Sequence, residues 1–263
     1  MELPLLGMGT WGMGGKYERD ESNIDESLSI LRYGLELGIE LIDVAEIYGG
    51  GLTEEIVGKA IQDFPRADIL LVSKVWRTNL QYNDVLRACE QSLNRLQTDY
   101  LDLYLIHWPS DDVPLSETLE AMEHLWLKGL VRNIGVSNFS INLLQQAQCL
   151  LQSTNLAVNQ IEYNLLQRQA EQHVIPYCKK NNIRIMAHRP LAKGSIPFSQ
   201  LKSVIELSKK YHKTPAQIAL NWIMSQNIIA IPKTAIRQHM LENVGALGWK
   251  LEKGDLEILS KEM

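Results

Sequence analysis

The sequence predicts a single (β/α)8 barrel domain over residues 1–263. Eight apolar runs of strand length recur along the chain, and longer stretches with helical period separate them. No linker or shift in composition divides the 263 residues. An open doubly wound sheet is the alternative, and its early Gly-x-Gly-x-x-Gly turn should open a helix. Gly7-Met8-Gly9-Thr10-Trp11-Gly12 has that spacing, but loop sequence follows it, Met13-Gly14-Gly15-Lys16. The segment therefore reads as a first barrel strand running into a glycine-rich rim loop.

Strands are expected over residues 5–10, 40–45, 69–74, 100–107, 133–138, 156–162, 184–189 and 228–233, where each apolar run lies. Between the first two, residues 26–38 place apolar side chains three and four apart, and Gly38 suits a helix end. Thr53-Glu54-Glu55-Ile56 and Thr214-Pro215-Ala216-Gln217 look like helix starts, a capping residue followed by acid or proline. Residues 115–128 and 141–152 are further amphipathic stretches.

Composition bounds the function classes. A hydrophobic fraction of 45% with 22% charged residues is that of an ordinary globular protein. No run reaches the roughly 18–20 apolar residues of a membrane span, and Met1-Glu2-Leu3-Pro4 is no signal peptide. The three cysteines, Cys89, Cys149 and Cys178, lie far apart in helix-like segments and read as thiols of a reducing cytoplasm. A net charge of -5 argues against nucleic acid as the main partner. The six histidines show no His-x-His or His-Glu-x-x-His spacing, so a metal-dependent hydrolase is a poor reading.

Four runs carry the chemistry. Asp43, Lys74 and His107 each stand where an apolar run stops, and Tyr48 lies just beyond the first. On neighbouring parallel strands they would meet at the carboxyl-end rim. A phenol with a pKa of about 10 keeps its proton at neutral pH. A nearby ammonium would lower that pKa, and a carboxylate would hold the ammonium charged and oriented. An imidazole beside the phenol could polarise a carbonyl oxygen. Singly each has a bland reading: a cap or loop anchor for Asp43, a rim histidine for His107, a packed ring for Tyr48. Lys74 is harder to explain that way, because an ammonium ending an apolar strand needs a partner.

The set resembles the Asp-Tyr-Lys-His tetrad of the aldo-keto reductases. Asp43-x-Ala45-x-x-Tyr48-Gly49, Ser73-Lys74, Leu105-Ile106-His107-Trp108-Pro109, Gly135-Val136-Ser137-Asn138-Phe139, Asn159-Gln160-Ile161-Glu162 and Ile231-Pro232-Lys233, ending in Glu242-Asn243, follow the family's order. The resemblance covers nearly the whole chain. It implies a barrel that reduces aldehydes, and ketones or sugars by extension, through direct hydride transfer from NADPH without metal. NADH stays open as a second coenzyme, and a coenzyme-sensing regulatory subunit of the same fold is the alternative function.

The resemblance also assigns residues. It makes Tyr48 the acid, Lys74 and Asp43 its tuning pair, and His107 the carbonyl-orienting group. Ser137, Asn138 and Gln160 would hold the nicotinamide carboxamide, near Asp43, while Gly9, Thr10 and Trp11 match the loop near the pyrophosphate. Lys233 and Thr234 would meet a 2′-phosphate, and Glu242 and Asn243 the adenine. The family's arginine six residues after the lysine is His239 here, with Arg237 two residues earlier. In Ala187-His188-Arg189-Pro190-Leu191, His188 takes the place of the tyrosine that stacks under nicotinamide, and Arg189 brings charge toward the phosphates. Leu191 belongs to the same coenzyme segment. An imidazole there is expected to titrate near neutral pH. With no amino-terminal hairpin before Leu3 and no long tail before Met263, an open substrate site is expected. Trp11, Tyr48, Trp76, His107, Trp108 and the loop of residues 109–114 should shape it around a small carbonyl compound. A monomer without membrane partners is expected.

Overall fold

The computed structural model describes residues 3–194 and 200–261. Eight parallel strands pair in sequence order: β1 (Gly7–Gly9), β2 (Leu41–Asp43), β3 (Leu70–Val75), β4 (Leu103–Ile106), β5 (Ile134–Ser137), β6 (Leu156–Glu162), β7 (Arg184–His188) and β8 (Ile229–Ala230). A parallel bridge between Leu6 and Ala230, with Gly9 N–H donating to Pro232 O at 3.0 Å, brings the last strand against the first. The arrangement is the expected (β/α)8 barrel, with helices outside.

Each expected strand is found, several of them shorter than the apolar run. Helices α1 (Ile24–Glu36), α2 (Leu52–Ile61), α3 (Tyr82–Leu96), α4 (Leu115–Leu127), α5 (Ile141–Leu150) and α6 (Val174–Lys180) follow successive strands. Cys89 and Cys178 are buried on α3 and α6, and Cys149 is exposed on α5. Thr214 caps the helix Pro215–Ser225 in a full capping box with Gln217, as its sequence predicts. Thr53 is different. It lies inside α2, behind Gly51 at the N-cap, and its buried hydroxyl donates to Met13 O. No described helix is long and apolar enough to cross a membrane.

The two-residue period of the strands sorts the core into two clusters. Leu41, Val72, Leu103, Leu105, Val158, Met186 and Ile229 pack together inside the barrel. Ile42, Leu71, Tyr104, Ile106, Ile161 and Ala187 point outward to the helix layer. Gly135 sits on the inward face between Leu105 and Val158, where a Cβ would lie 2.7 Å from the Leu105 side chain.

Candidate active site

The inward face continues past the apolar plug. Two residues after Leu41 comes Asp43, and the same step leads from Val72 to Lys74, Leu105 to His107, Gly135 to Ser137, Val158 to Gln160 and Met186 to His188. One polar layer therefore caps the interior at the carboxyl ends of six strands. It is the continuation of the hydrophobic stack by one more step of the pleat.

Within that layer Lys74 is fully buried. Its Nζ donates to Asp43 Oδ2 at 2.8 Å, to Val44 O at 2.9 Å and to Tyr48 Oη at 3.3 Å. Three acceptors satisfy three ammonium hydrogens. Burial favours the neutral amine, but the carboxylate of Asp43 and the phenol of Tyr48 outweigh it and hold the lysine pKa above its ordinary value. Asp43 Oδ1 accepts from Gln160 Nε2 at 2.7 Å, and Asp43 O accepts from Thr10 Oγ1 at 2.8 Å. Tyr48 departs from expectation: burial raises its pKa more than the Lys74 charge lowers it. Burial and the Lys74 charge also push His107 down to about 2, leaving a neutral ring whose Nδ1 has no hydrogen-bond partner.

Tyr48 is carried on a tight loop. Gly49 has φ 55°, and a Cβ there would stand 2.3 Å from Gly14 O, so only glycine fits. Its N–H donates to Lys16 O at 2.9 Å, joining this loop to the one after β1. That contact brings in a residue the sequence reading missed, Tyr17. Ring centroids lie 4.8 Å apart for Tyr48–Trp11, 5.0 Å for Trp11–Tyr17, 6.5 Å for Tyr17–Trp76, 5.1 Å for Trp76–His107 and 5.6 Å for His107–Tyr48. Five rings close a circuit around the mouth of the polar layer.

The circuit forms one end of a cleft of about 1590 Å³. Gly9, Thr10, Ser137, Asn138, Gln160, His188, Arg189 and Leu191 line its middle wall, and Lys233, Thr234, His239, Glu242 and Asn243 line it beyond β8. The amino-terminal residues Pro215 and Ala216 of a capped helix also reach it.

A family model described as the aldo/keto reductase family matches residues 5–261. The chain belongs to the aldo/keto reductase family. It is 38% identical over 265 residues to methylglyoxal reductase YeaE of Escherichia coli, covering 99% of this chain and 91% of that one. A glyoxal reductase of Bacillus subtilis is 33% identical over 261 residues, covering 98% and 88%. Among solved structures, a thermostable aldo-keto reductase crystallised with the inhibitor epalrestat superposes with a TM-score of 0.96 at 41% identity, covering 100% and 96%. An aldo/keto reductase from Klebsiella pneumoniae in complex with NADP and acetate gives 0.90 at 37%, covering 98% and 91%.

In this aldo/keto reductase the cleft gathers the residues singled out from sequence except Lys74, Arg237 and the loop of residues 109–114. Lys74 lies beneath its floor, as its burial requires. Arg237 is turned away, its guanidinium 4.7 Å from the Tyr33 ring centroid and donating to Ser29 Oγ at 3.1 Å. The residue sits on the α1 side of the helix Arg237–Val244, a choice of face that sequence spacing alone does not fix. The loop of residues 109–114 also falls outside the cleft, with Pro109, Ser110 and Val113 lining a small separate hollow.

His188 also corrects an expectation. Its Nε2 lies 3.3 Å from Asn138 Oδ1. Burial, the Arg189 charge and Lys74 push its pKa down to about 3, far from neutral pH. Asn138 Nδ2 donates to His107 O at 3.2 Å and to Ser137 Oγ at 2.9 Å, so His188 completes the partners that fix this amide. Arg189 lines the cleft while paired with Glu162 Oε2 at 2.7 Å.

Proposed function

We propose that this chain is an oxidoreductase that reduces aldehydes, and ketones or sugars by extension, with NADPH. Tyr48 acts as the general acid, Lys74 and Asp43 as its supporting pair, and His107 as the group orienting the carbonyl. The observation that carries the reading is the Lys74 ammonium, buried among Asp43, Val44 O and Tyr48 Oη at the aromatic end of a long cleft.

The residues present suit the coenzyme. Tyr48 and His107 line one end of the cleft with ring centroids 5.6 Å apart, and Lys233 lines it beyond β8. Lys233 and Thr234 offer a cation and a hydroxyl to a 2′-phosphate. Ser137 Oγ accepts from Asn138 Nδ2, so the serine keeps its own O–H to donate to a carboxamide oxygen. NADPH, when bound, supplies the hydride. Everything else falls to the protein. Tyr48 keeps its proton through neutral pH and gives it to the carbonyl oxygen as charge develops there. Lys74, 3.3 Å away, stabilises the phenolate left behind. Neutral His107 donates a hydrogen bond to the same oxygen and so fixes which carbonyl face is presented. The relatives named as methylglyoxal and glyoxal reductases support small reactive aldehydes as substrates. The same proposal takes residues 1–263 as one domain acting as a cytoplasmic monomer, which sedimentation of the pure protein would test.

The deciding experiment follows NADPH oxidation with 4-nitrobenzaldehyde and methylglyoxal, in the wild type and Tyr48→Phe. Loss of a general acid should slow turnover by roughly 10²–10⁴-fold while NADPH affinity stays within twofold. A Tyr48→Phe enzyme with more than half the wild-type rate would sink the role of Tyr48. Tight NADPH binding with no turnover in the wild type would favour the coenzyme-sensing reading.

A further inference from the structure

Tyr17 combines two properties that rarely go together. It is 57% exposed, yet the loop that carries it is fastened at many points. Thr53 Oγ1 donates to Met13 O, and Asn23 Oδ1 accepts from Gly14 N at 2.8 Å. Gly49 N donates to Lys16 O, and Asp20 N donates to Gly14 O at 2.9 Å. Arg19 pairs with Glu55 through both nitrogens, at 2.8 and 3.1 Å. Gly15, at φ 105°, leaves no room for a Cβ, which would stand 2.0 Å from Glu18 O. A loop pinned this way holds its side chains in register, but the Tyr17 ring is not spent on the core. Its contacts are Trp11 and Trp76, the two indoles flanking the reacting pair. Remove it and the five-ring circuit opens between β1 and β3.

We propose that Tyr17 is a substrate-contacting, specificity-determining residue that closes the aromatic circuit and favours aldehydes whose carbonyl is conjugated to a flat π system. The inference rests on the reductase function proposed above. With Tyr48 and His107 in the circuit, a carbonyl held by them places its substituent among Trp11, Tyr17 and Trp76. Faces and edges of these rings reward a planar, polarisable body over a puckered saturated one of equal size. Rigid attachment matters because an aromatic wall already in place loses little freedom when the substrate arrives.

Benzaldehyde and cyclohexanecarboxaldehyde test this, being equal in carbon number and different in flatness. The quantity is the ratio of their kcat/KM values in wild type, Tyr17→Phe, Tyr17→Leu and Tyr17→Ala. The ratio should fall about three- to tenfold in Tyr17→Ala and Tyr17→Leu, the range of one aromatic contact, through KM for benzaldehyde. It should stay within twofold in Tyr17→Phe. NADPH affinity and the thermal midpoint should match the wild type. An unchanged ratio in the Ala and Leu variants overturns the proposal, as does an equal loss on both aldehydes. Wild-type protein that reduces neither compound would instead overturn the reductase reading itself.

Discussion

Lys74 is fully buried and holds three hydrogen bonds, and that arrangement ranks the tetrad mutants. Lys74→Met removes the charge beside Tyr48 and leaves the Asp43 carboxylate buried without its cation. Asp43→Asn keeps an oxygen for Nζ, and Val44 O still holds it. Single-turnover hydride transfer should therefore be slowed far more by Lys74→Met than by Asp43→Asn. The reverse order would mean that Asp43 serves the substrate or coenzyme directly. The two imidazoles make a second prediction. With His107 at about 2 and His188 at about 3, neither titrates between pH 5.5 and 8, so kcat/KM should be flat there. The cost appears in stability instead. An unfolded histidine takes its proton near pH 6.5, whereas folded His107 does so only near 2. Between those values the unfolded chain binds more protons. Stability from this group is full above pH 6.5 and declines on acidification, by up to about 1.4 kcal/mol per pH unit. The thermal midpoint should fall from pH 7 to pH 5, and fall less in His107→Gln. The tetrad was legible in sequence because strand ends and a two-residue period are sequence properties. The direction of the Tyr48 shift was not, since it depends on how deeply the barrel buries the phenol.

Between elements, the loops after β2 and β3 are joined by one carboxylate. Glu46 Oε1 accepts from Trp76 N at 2.5 Å and from Asn79 Nδ2 at 3.1 Å, and burial raises its pKa. It ties the Trp76 wall to the loop that carries Tyr48. Glu46→Ala should leave a backbone N–H without its acceptor, lower stability by about 1–3 kcal/mol and raise KM for carbonyl substrates. Glu46→Gln keeps the accepting oxygen and should stay close to wild type; chemical denaturation and steady-state kinetics check both. Elements were readable where one period dominated. The apolar runs overshoot the strands at β1 and β8 because rim residues stay buried after the ladder hydrogen bonds end. Tyr17 escaped because its loop has no period at all, only glycines whose contacts appear once α2 is in place. Thr53 looked like a cap, and Arg237 like a phosphate ligand, because spacing does not say which face of a helix meets which neighbour.

Across the whole molecule, chemistry and stability occupy opposite ends of the barrel. At the amino ends of the strands, Tyr100 lies between two guanidinium groups, Arg66 at 3.9 Å and Arg132 at 3.8 Å from its ring centroid. Buried Asp102 accepts from both and from Leu71 N at 3.0 Å. Asp102→Ala should therefore cost about 3 kcal/mol in urea unfolding, low in the range for a broken buried pair because both arginines keep some water. kcat at 25 °C should not change. The five-ring circuit at the other end has an optical consequence as well. Two indoles and two phenols held at fixed angles within van der Waals reach couple their transition dipoles, and a rigid asymmetric set of that kind rotates polarised light. The near-ultraviolet circular dichroism of this protein should thus include a contribution from the substrate mouth, beside those of the Tyr163–Trp222 and Tyr211–Trp249 pairs, that changes on replacing Tyr17 while the far-ultraviolet spectrum stays the same, and that shifts whenever a flat guest enters.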